Sequence, residues 1–332
     1  MRAARRLLLA GAVLAGLLGV AVLVTKAAGY GALLDRLRGA DPAWLAVAAV
    51  AEALSFIAYV VVLRAAARLE GGPQLGYRTS AHLVFAGLGA MRVAATGGAG
   101  AIALDYWALT KAGATRDGAA SRVLALFTLV FGVFGAGAWL AALLLAIGVG
   151  GSLPLHLTAP WLLGVPVLAA VVAFFRAPGR ELRLPGRAGR VVRRILVDAA
   201  LGLSLVRHAM SRPRAHAGLL TATVLYWLGD AACLWAALRA FDVSVPAPAL
   251  ALAYATGYLF TLLPLPLAGV GTVDAAMILA VGAVGVPFSA SFLGVLAFRT
   301  IAFWLPTPAG IAAFATLRGL ERSLERAARA SP

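Results

Sequence analysis

The sequence predicts an all-α polytopic membrane protein, with about six full spans plus two re-entrant helical hairpins arranged as an inverted repeat. Three observations lead there. Of 332 residues, 62% are hydrophobic and only 13% are charged, and the mean hydropathy is +0.92. Several apolar runs reach the ~20 residues that carry a helix across a bilayer. Two further apolar regions are broken by glycine and proline, and each contains an acid.

The first apolar run, Leu7–Val24, follows Arg2, Arg5 and Arg6. That arrangement resembles a signal peptide, but the run is longer than a usual signal core and reads as an uncleaved first helix. Uninterrupted runs follow at Trp44–Leu63, Val123–Ile147, Pro160–Phe175, Ala217–Leu238 and Phe288–Leu317. Arginine bias orients them. The N-terminus is inside, and so is the loop with Arg64, Arg68 and Arg78. Residues 148–159 hold no Lys or Arg and are outside; Arg176–Arg214 holds ten arginines and is inside. The nearly neutral stretch 239–248 is outside, and the tail with Arg318, Arg322, Arg326 and Arg329 is inside. Both termini are therefore expected in the cytoplasm, with the chain in the plasma (inner) membrane. The formal charge of +16 is thus a topology signal, and no nucleic-acid partner is expected. Within the basic loop, an amphipathic stretch around Val191–His208, preceded by Arg187 and Arg190 and including Arg193 and Arg194, is expected on the cytoplasmic leaflet against anionic lipid.

Parity then forces the hairpins. Residues 74–78 and 111–122 both lie inside, so Thr79–Thr110 must leave and return on the cytoplasmic face. Pro246 and residues 285–288 both lie outside, so Pro248–Val284 must dip in from outside. The turns are "ATGGAG", with Gly97, Gly98 and Gly100, and "PLPLAGVG", with Pro264, Pro266, Gly269 and Gly271. The second arms, Ala101–Thr110 and Thr272–Val284, are too short to cross at ~1.5 Å per residue. The two regions also align loosely. Gly98 falls on Gly269, Gly100 on Gly271 and Gly113 on Gly285, about 171–172 residues apart. Entry from opposite faces makes this an inverted repeat, a plan of secondary transporters. The divisions are a membrane half at 1–176 with hairpin 79–110, a basic cytoplasmic loop at 177–214, a membrane half at 215–318 with hairpin 248–284, and a tail at 319–332.

A charge at a membrane helix centre costs roughly 2.5–3.5 kcal/mol on insertion scales, so each one needs a role. Arg299 should face inward and pair with a carboxylate, Asp274 first and Asp230 second. Asp274 also suits the N-terminal turn of the helix after Gly271. Arg92 ends the first hairpin arm and could face Asp105 or a lipid phosphate. Glu52 reads as a polar contact between helices, and His82 as interfacial. The helix starts after Gly100 and Gly271 are candidate anion positions.

No phosphate-binding glycine loop, zinc-protease motif or nucleophile elbow is present. Four histidines and the lone Cys233 offer little for nucleophilic chemistry, a disulfide framework or a metal site. No enzyme activity, ATP hydrolysis, metal or cofactor is expected.

"LPLPLAGVGTVDAAMILAVGAVGVP" and "VLAFRTIAFWLPTPAGIAAF" resemble the C-terminal signature of the lysylphosphatidylglycerol synthase transmembrane-region family of flippase-like proteins. The resemblance falls on Pro264, Pro266, Gly269, Gly271, Asp274, Gly285, Pro287, Arg299, Trp304, Pro306 and Gly310. "ATGGAGAIALDYWALTKAGAT" is similar to its earlier glycine motif. Leu267 and Ala268 stand where the family has a first glycine, and the acid is Asp rather than the commoner Glu. Members that make the lysyl lipid carry a soluble catalytic domain after the membrane part. This chain reaches Pro332 after one basic amphipathic helix, so the resemblance implies the translocating half without the synthase half.

The expected function is movement of a lipid or lipid-linked headgroup between leaflets, not driven by ATP in this chain. Arg92 and Arg299 would receive phosphate; Asp105, Asp230 and Asp274 would balance or relay charge. Expected partners are membrane lipids that are anionic or bear phosphate. The alternatives are a proton-coupled transporter of a small anion and a membrane scaffold for a separate lipid-modifying enzyme.

Overall fold

The computed structural model describes residues 35, 37–93, 99–151, 153, 155–175, 202–262 and 271–330. Leu7–Val24, the turn residues Gly97, Gly98, Pro264, Pro266 and Gly269, and Arg187, Arg190, Arg193 and Arg194 lie outside the described residues.

Residues 202–211 of the described chain are helical, and eleven further α-helices have defined bounds. They are α1 (Pro42–Ala67), α2 (Tyr77–Val93), α3 (Ala99–Lys111), α4 (Arg116–Ala146), α5 (Leu155–Phe175), α6 (Ala217–Arg239), α7 (Ala247–Leu259), α8 (Thr272–Ala283), α9 (Phe288–Arg299), α10 (Thr307–Ala315) and α11 (Leu317–Ala330). A five-residue π-helical stretch, Thr300–Trp304, joins α9 to α10. Four stretches are long and apolar enough to cross a membrane: Pro42–Ala67, Arg116–Ala146, Ala217–Arg239 and Phe288–Ala315. The protein is therefore a multi-pass membrane protein.

Helix α1 shows how these segments form and what they face. Asp41 caps it, its carboxylate accepting from Ala43 N–H at 2.8 Å, and Pro42 starts the first turn. Val47, Val50, Leu54 and Ile57 point outward, while Ala48, Glu52, Ser55 and Ala58 are buried. Large apolar residues outside with small and polar ones inside is the pattern of a helix bathed in lipid. That inner face packs along α6. There Ser55 Oγ donates to Tyr226 O at 2.9 Å, and a Cβ on Gly229 would lie 2.8 Å from Ala51 O.

Two departures from the sequence reading have local causes. The span expected at Pro160–Phe175 begins one turn earlier, at Leu155, with Pro160 and Pro166 inside the helix. A proline deprives only one carbonyl of its partner, and surrounding helices tolerate that at membrane depth. The last span is not one regular helix. Pro306 has no N–H to give residue 302 and would crowd its carbonyl, and Leu305 N–H instead reaches back five residues to Thr300 O at 2.8 Å.

The order long helix, two short helices, long helix occurs twice: α1 to α4, and α6 to the α9–α10 stretch. The packing corresponds as well. α2 packs on α3 and against α10; α7 packs on α8 and against α4; α1 and α6 pack on each other. The joints match too. Gly113 follows α3 at φ 98° and Gly285 follows α8 at φ 90°, a left-handed conformation that glycine adopts without steric cost.

The tail is a docked helix. Leu320 and Leu324 of α11 are fully buried, and α11 packs on α2 and α3. Glu321 sits 2.6 Å from Lys111 Nζ at the exposed edge. Its hydrogen bond and charge raise the Lys111 pKa above the ordinary value.

Candidate functional site

The helices of both halves enclose a cavity of about 300 Å³. Its floor of charge comes from four elements: Glu52 on α1, Asp105 on α3, Asp230 on α6 and Arg299 on α9. All four are at least nine-tenths buried. The remaining wall is mostly apolar, with an aromatic part that includes Phe56 and Tyr59 of α1, Phe131 of α4, Trp227 of α6 and Tyr258 of α7. Ile102 belongs both to the wall and, at 40% exposure, to the outer surface.

Packing explains why these groups stand where they do. Trp227 Nε1 donates to Val130 O at 2.7 Å, tying α6 to α4. Its ring stands edge-on to Tyr258 at 5.0 Å. Tyr59 and Tyr226 meet at 4.9 Å across the α1–α6 seam. Edge-on and tilted ring pairs of this kind hold their members in fixed orientation.

The charges form two groups. In the first, Arg299 Nε donates to Asp274 Oδ1 at 2.5 Å, the first of the two partners expected for it. Asp274 Oδ2 accepts from Gly271 N–H at 2.8 Å, so one carboxylate both caps α8 and holds the arginine. The helix start after Gly271 is consequently filled by its own side chain. The Arg299 guanidinium lies over the Phe303 ring at 4.2 Å. Its Nη2 is buried and has no hydrogen-bond partner among the described residues.

The second group centres on Asp230. Tyr254 Oη donates to Asp230 Oδ2. Glu52 lies against Asp230 within hydrogen-bonding reach, and Glu52 Oε2 has no partner among the described residues. Glu52 is thus a polar contact between α1 and α6, and it also lines the cavity as one of two adjoining carboxyl groups. Sequence reading missed this pairing and the aromatic wall. The one available signal was an acid in the middle of an apolar run.

Of the other expected residues, Asp105 lines the cavity. Arg92 lies in the last turn of α2, beside the wall residue Met91; its side chain is outside the description. Gly100 opens α3 as its second residue, and Gly271 is the N-cap of α8. His82, expected at the interface, has its Nε2 2.9 Å from Ala313 O and 3.1 Å from Thr316 Oγ1. Among the described residues no group of three His, Cys, Asp or Glu could hold a metal ion.

A cavity with a buried, half-satisfied guanidinium can take one oxyanion, and aromatic walls can take apolar or cationic parts of the same molecule. No curated protein matches the chain. A family model for the lysylphosphatidylglycerol synthase TM region matches residues 7–310, most of the chain, and the protein belongs to that family.

Proposed function

We propose that this chain moves a phosphate-bearing lipid between the two leaflets, with the headgroup passing through the cavity while the acyl chains stay in the bilayer. The observation that carries this reading is the buried Nη2 of Arg299, unpartnered among the described residues, a cationic donor on a residue that lines a cavity whose wall includes the part-exposed Ile102. An orphaned charged donor at membrane depth is costly to keep, and a phosphate oxygen removes that cost. Membership of a family named for the membrane region of a lipid synthase favours lipid over a small soluble anion.

The repeated helix order and reciprocal packing support a second part of the proposal. The α2–α3 and α7–α8 pairs are re-entrant hairpins entering from opposite faces, the halves are inverted, and both termini are cytoplasmic. Exchange of the halves' roles around the cavity would open it to one leaflet and then the other. Single cysteines in a Cys233→Ser background test the orientation. Gln74→Cys is expected to react with a membrane-impermeant maleimide only from the cytoplasmic side, and Ser244→Cys only from outside; both residues are exposed. Labelling of both from one side would refute the inversion. Leaflet exchange of a labelled phospholipid by the purified chain tests the function itself. Uptake of a soluble anion with no such exchange would favour the small-anion transporter instead.

A further inference from the structure

Two carboxyl groups in contact present a chemical difficulty that the cavity makes acute. An ionised carboxylate only accepts hydrogen bonds. Asp230 already accepts from Tyr254 Oη. Glu52 Oε2 is buried and meets no donor among the described residues, and the group beside it is the other carboxyl. Glu52 and Asp230 are 6% and 7% exposed, so water is a poor substitute. One proton placed between them supplies the missing donor and cancels one of two adjoining negative charges.

The surrounding groups leave that proton in place and link it to the cavity's cargo. On α6 the groups acting on the pair are Tyr226 and Cys233, and on α7 Tyr254, with Tyr59 and Tyr258 one step further away. None of these carries a positive charge. Asp105 on α3 is a further acid lining the cavity. The described wall residues of α4 are the apolar Phe127, Val130 and Phe131, and those of α8 are Val273 and Met277. On α2, His82 is engaged by α10 at Ala313 O. Arg299 is the described cation that acts on Asp230, and its main partner is Asp274.

We infer that the Glu52–Asp230 pair is a proton-binding site and that lipid movement through the cavity is coupled to the uptake and release of that proton. The coupling rests on the translocation reading; the proton site does not. Phosphate arriving at Arg299 Nη2 brings negative charge beside the pair and offsets the attraction Arg299 exerts on Asp230. Proton uptake then accompanies loading. Release of the phosphate on the far side restores that attraction and expels the proton there. Proton and headgroup travel in the same direction.

The test uses the purified full chain in vesicles of phosphatidylcholine and phosphatidylglycerol containing an acyl-chain-labelled phosphatidylglycerol. With one proton per lipid, a gradient of one pH unit is expected to shift the steady-state leaflet ratio by up to about tenfold, toward the alkaline side. Glu52→Gln keeps an amide donor for Asp230 but cannot release a proton, and it is expected to lose the response to the gradient whatever its exchange rate. Infrared spectra of the same protein in detergent read the site without transport. Wild type is expected to show a protonated-carboxyl band at neutral pH that shifts in D₂O and is lost in Glu52→Gln and in Asp230→Asn. Absence of that band in wild type, or its persistence in both variants, would overturn the proton site. Wild-type exchange indifferent to the pH gradient, or driven by a sodium gradient in its place, would overturn the coupling. If wild type moves no lipid, the coupling falls with the translocation reading, and the infrared bands still decide the site.

Discussion

Arg299→Ala is expected to reduce leaflet exchange to the level of protein-free vesicles and to cost the fold about 3 kcal/mol. Two separate losses produce this. Removing the guanidinium leaves Asp274, whose side chain is 24% exposed, with the Gly271 N–H as its partner among the described residues. It also removes the cation stacked over Phe303 and the buried Nη2 that has no partner among the described residues. Arg299→Lys separates stability from function. A lysine ammonium can still meet Asp274, but it has no planar fork to hold one oxyanion while bonded to another. It is expected to keep most of the stability and lose exchange by at least about tenfold. Thermal unfolding in detergent measures the first quantity and vesicle exchange the second. Full exchange in a well-folded Arg299→Lys would remove Arg299 from the headgroup's path.

Gly89→Ala is expected to destabilise the fold by upward of about 3 kcal/mol. A Cβ there would sit 2.2 Å from Gly310 O and 2.6 Å from Gly310 C. Both are backbone atoms, so no rotamer change relieves the overlap. The α2–α10 seam must open, and that seam joins α2 to the span Phe288–Ala315. Gly137→Ala is the control, because a Cβ at Gly137 in α4 meets nothing within 4 Å. Its effect is expected to be neutral or slightly stabilising, since alanine is the better helix former. A Gly89→Ala protein with an unchanged melting temperature would mean that α2 and α10 do not approach this closely.

What the sequence disclosed depended on the range of each effect. The long spans at α1, α4 and α6 were legible because burying apolar surface in lipid needs an unbroken run of a set length. The Arg299–Asp274 pair was legible for a similar reason: a lone membrane charge must find its opposite, and few candidates existed. The π-helical stretch Thr300–Trp304 was not legible, because hydropathy runs smoothly through it and only Pro306 hinted at a change. Glu52 was undervalued because its partner lies on α6, and nothing in either segment alone records which faces meet. The aromatic wall was hidden for the same reason. Tyr59, Trp227 and Tyr258 converge only after α1, α6 and α7 have packed, and each by itself reads as an ordinary membrane-helix residue.

The central claim is that a lipid headgroup crosses through the cavity. It is tested most directly by leaflet exchange of acyl-chain-labelled phospholipids in vesicles holding wild-type chain, Arg299→Lys, or no protein. The label is quenched from outside and the protected fraction followed over time. The account predicts that wild type scrambles or pumps at least one phosphate-bearing lipid well above the protein-free rate, and that folded Arg299→Lys does not. Exchange in wild type no faster than in empty vesicles, across phospholipids of differing headgroup and with or without a pH gradient, would contradict it.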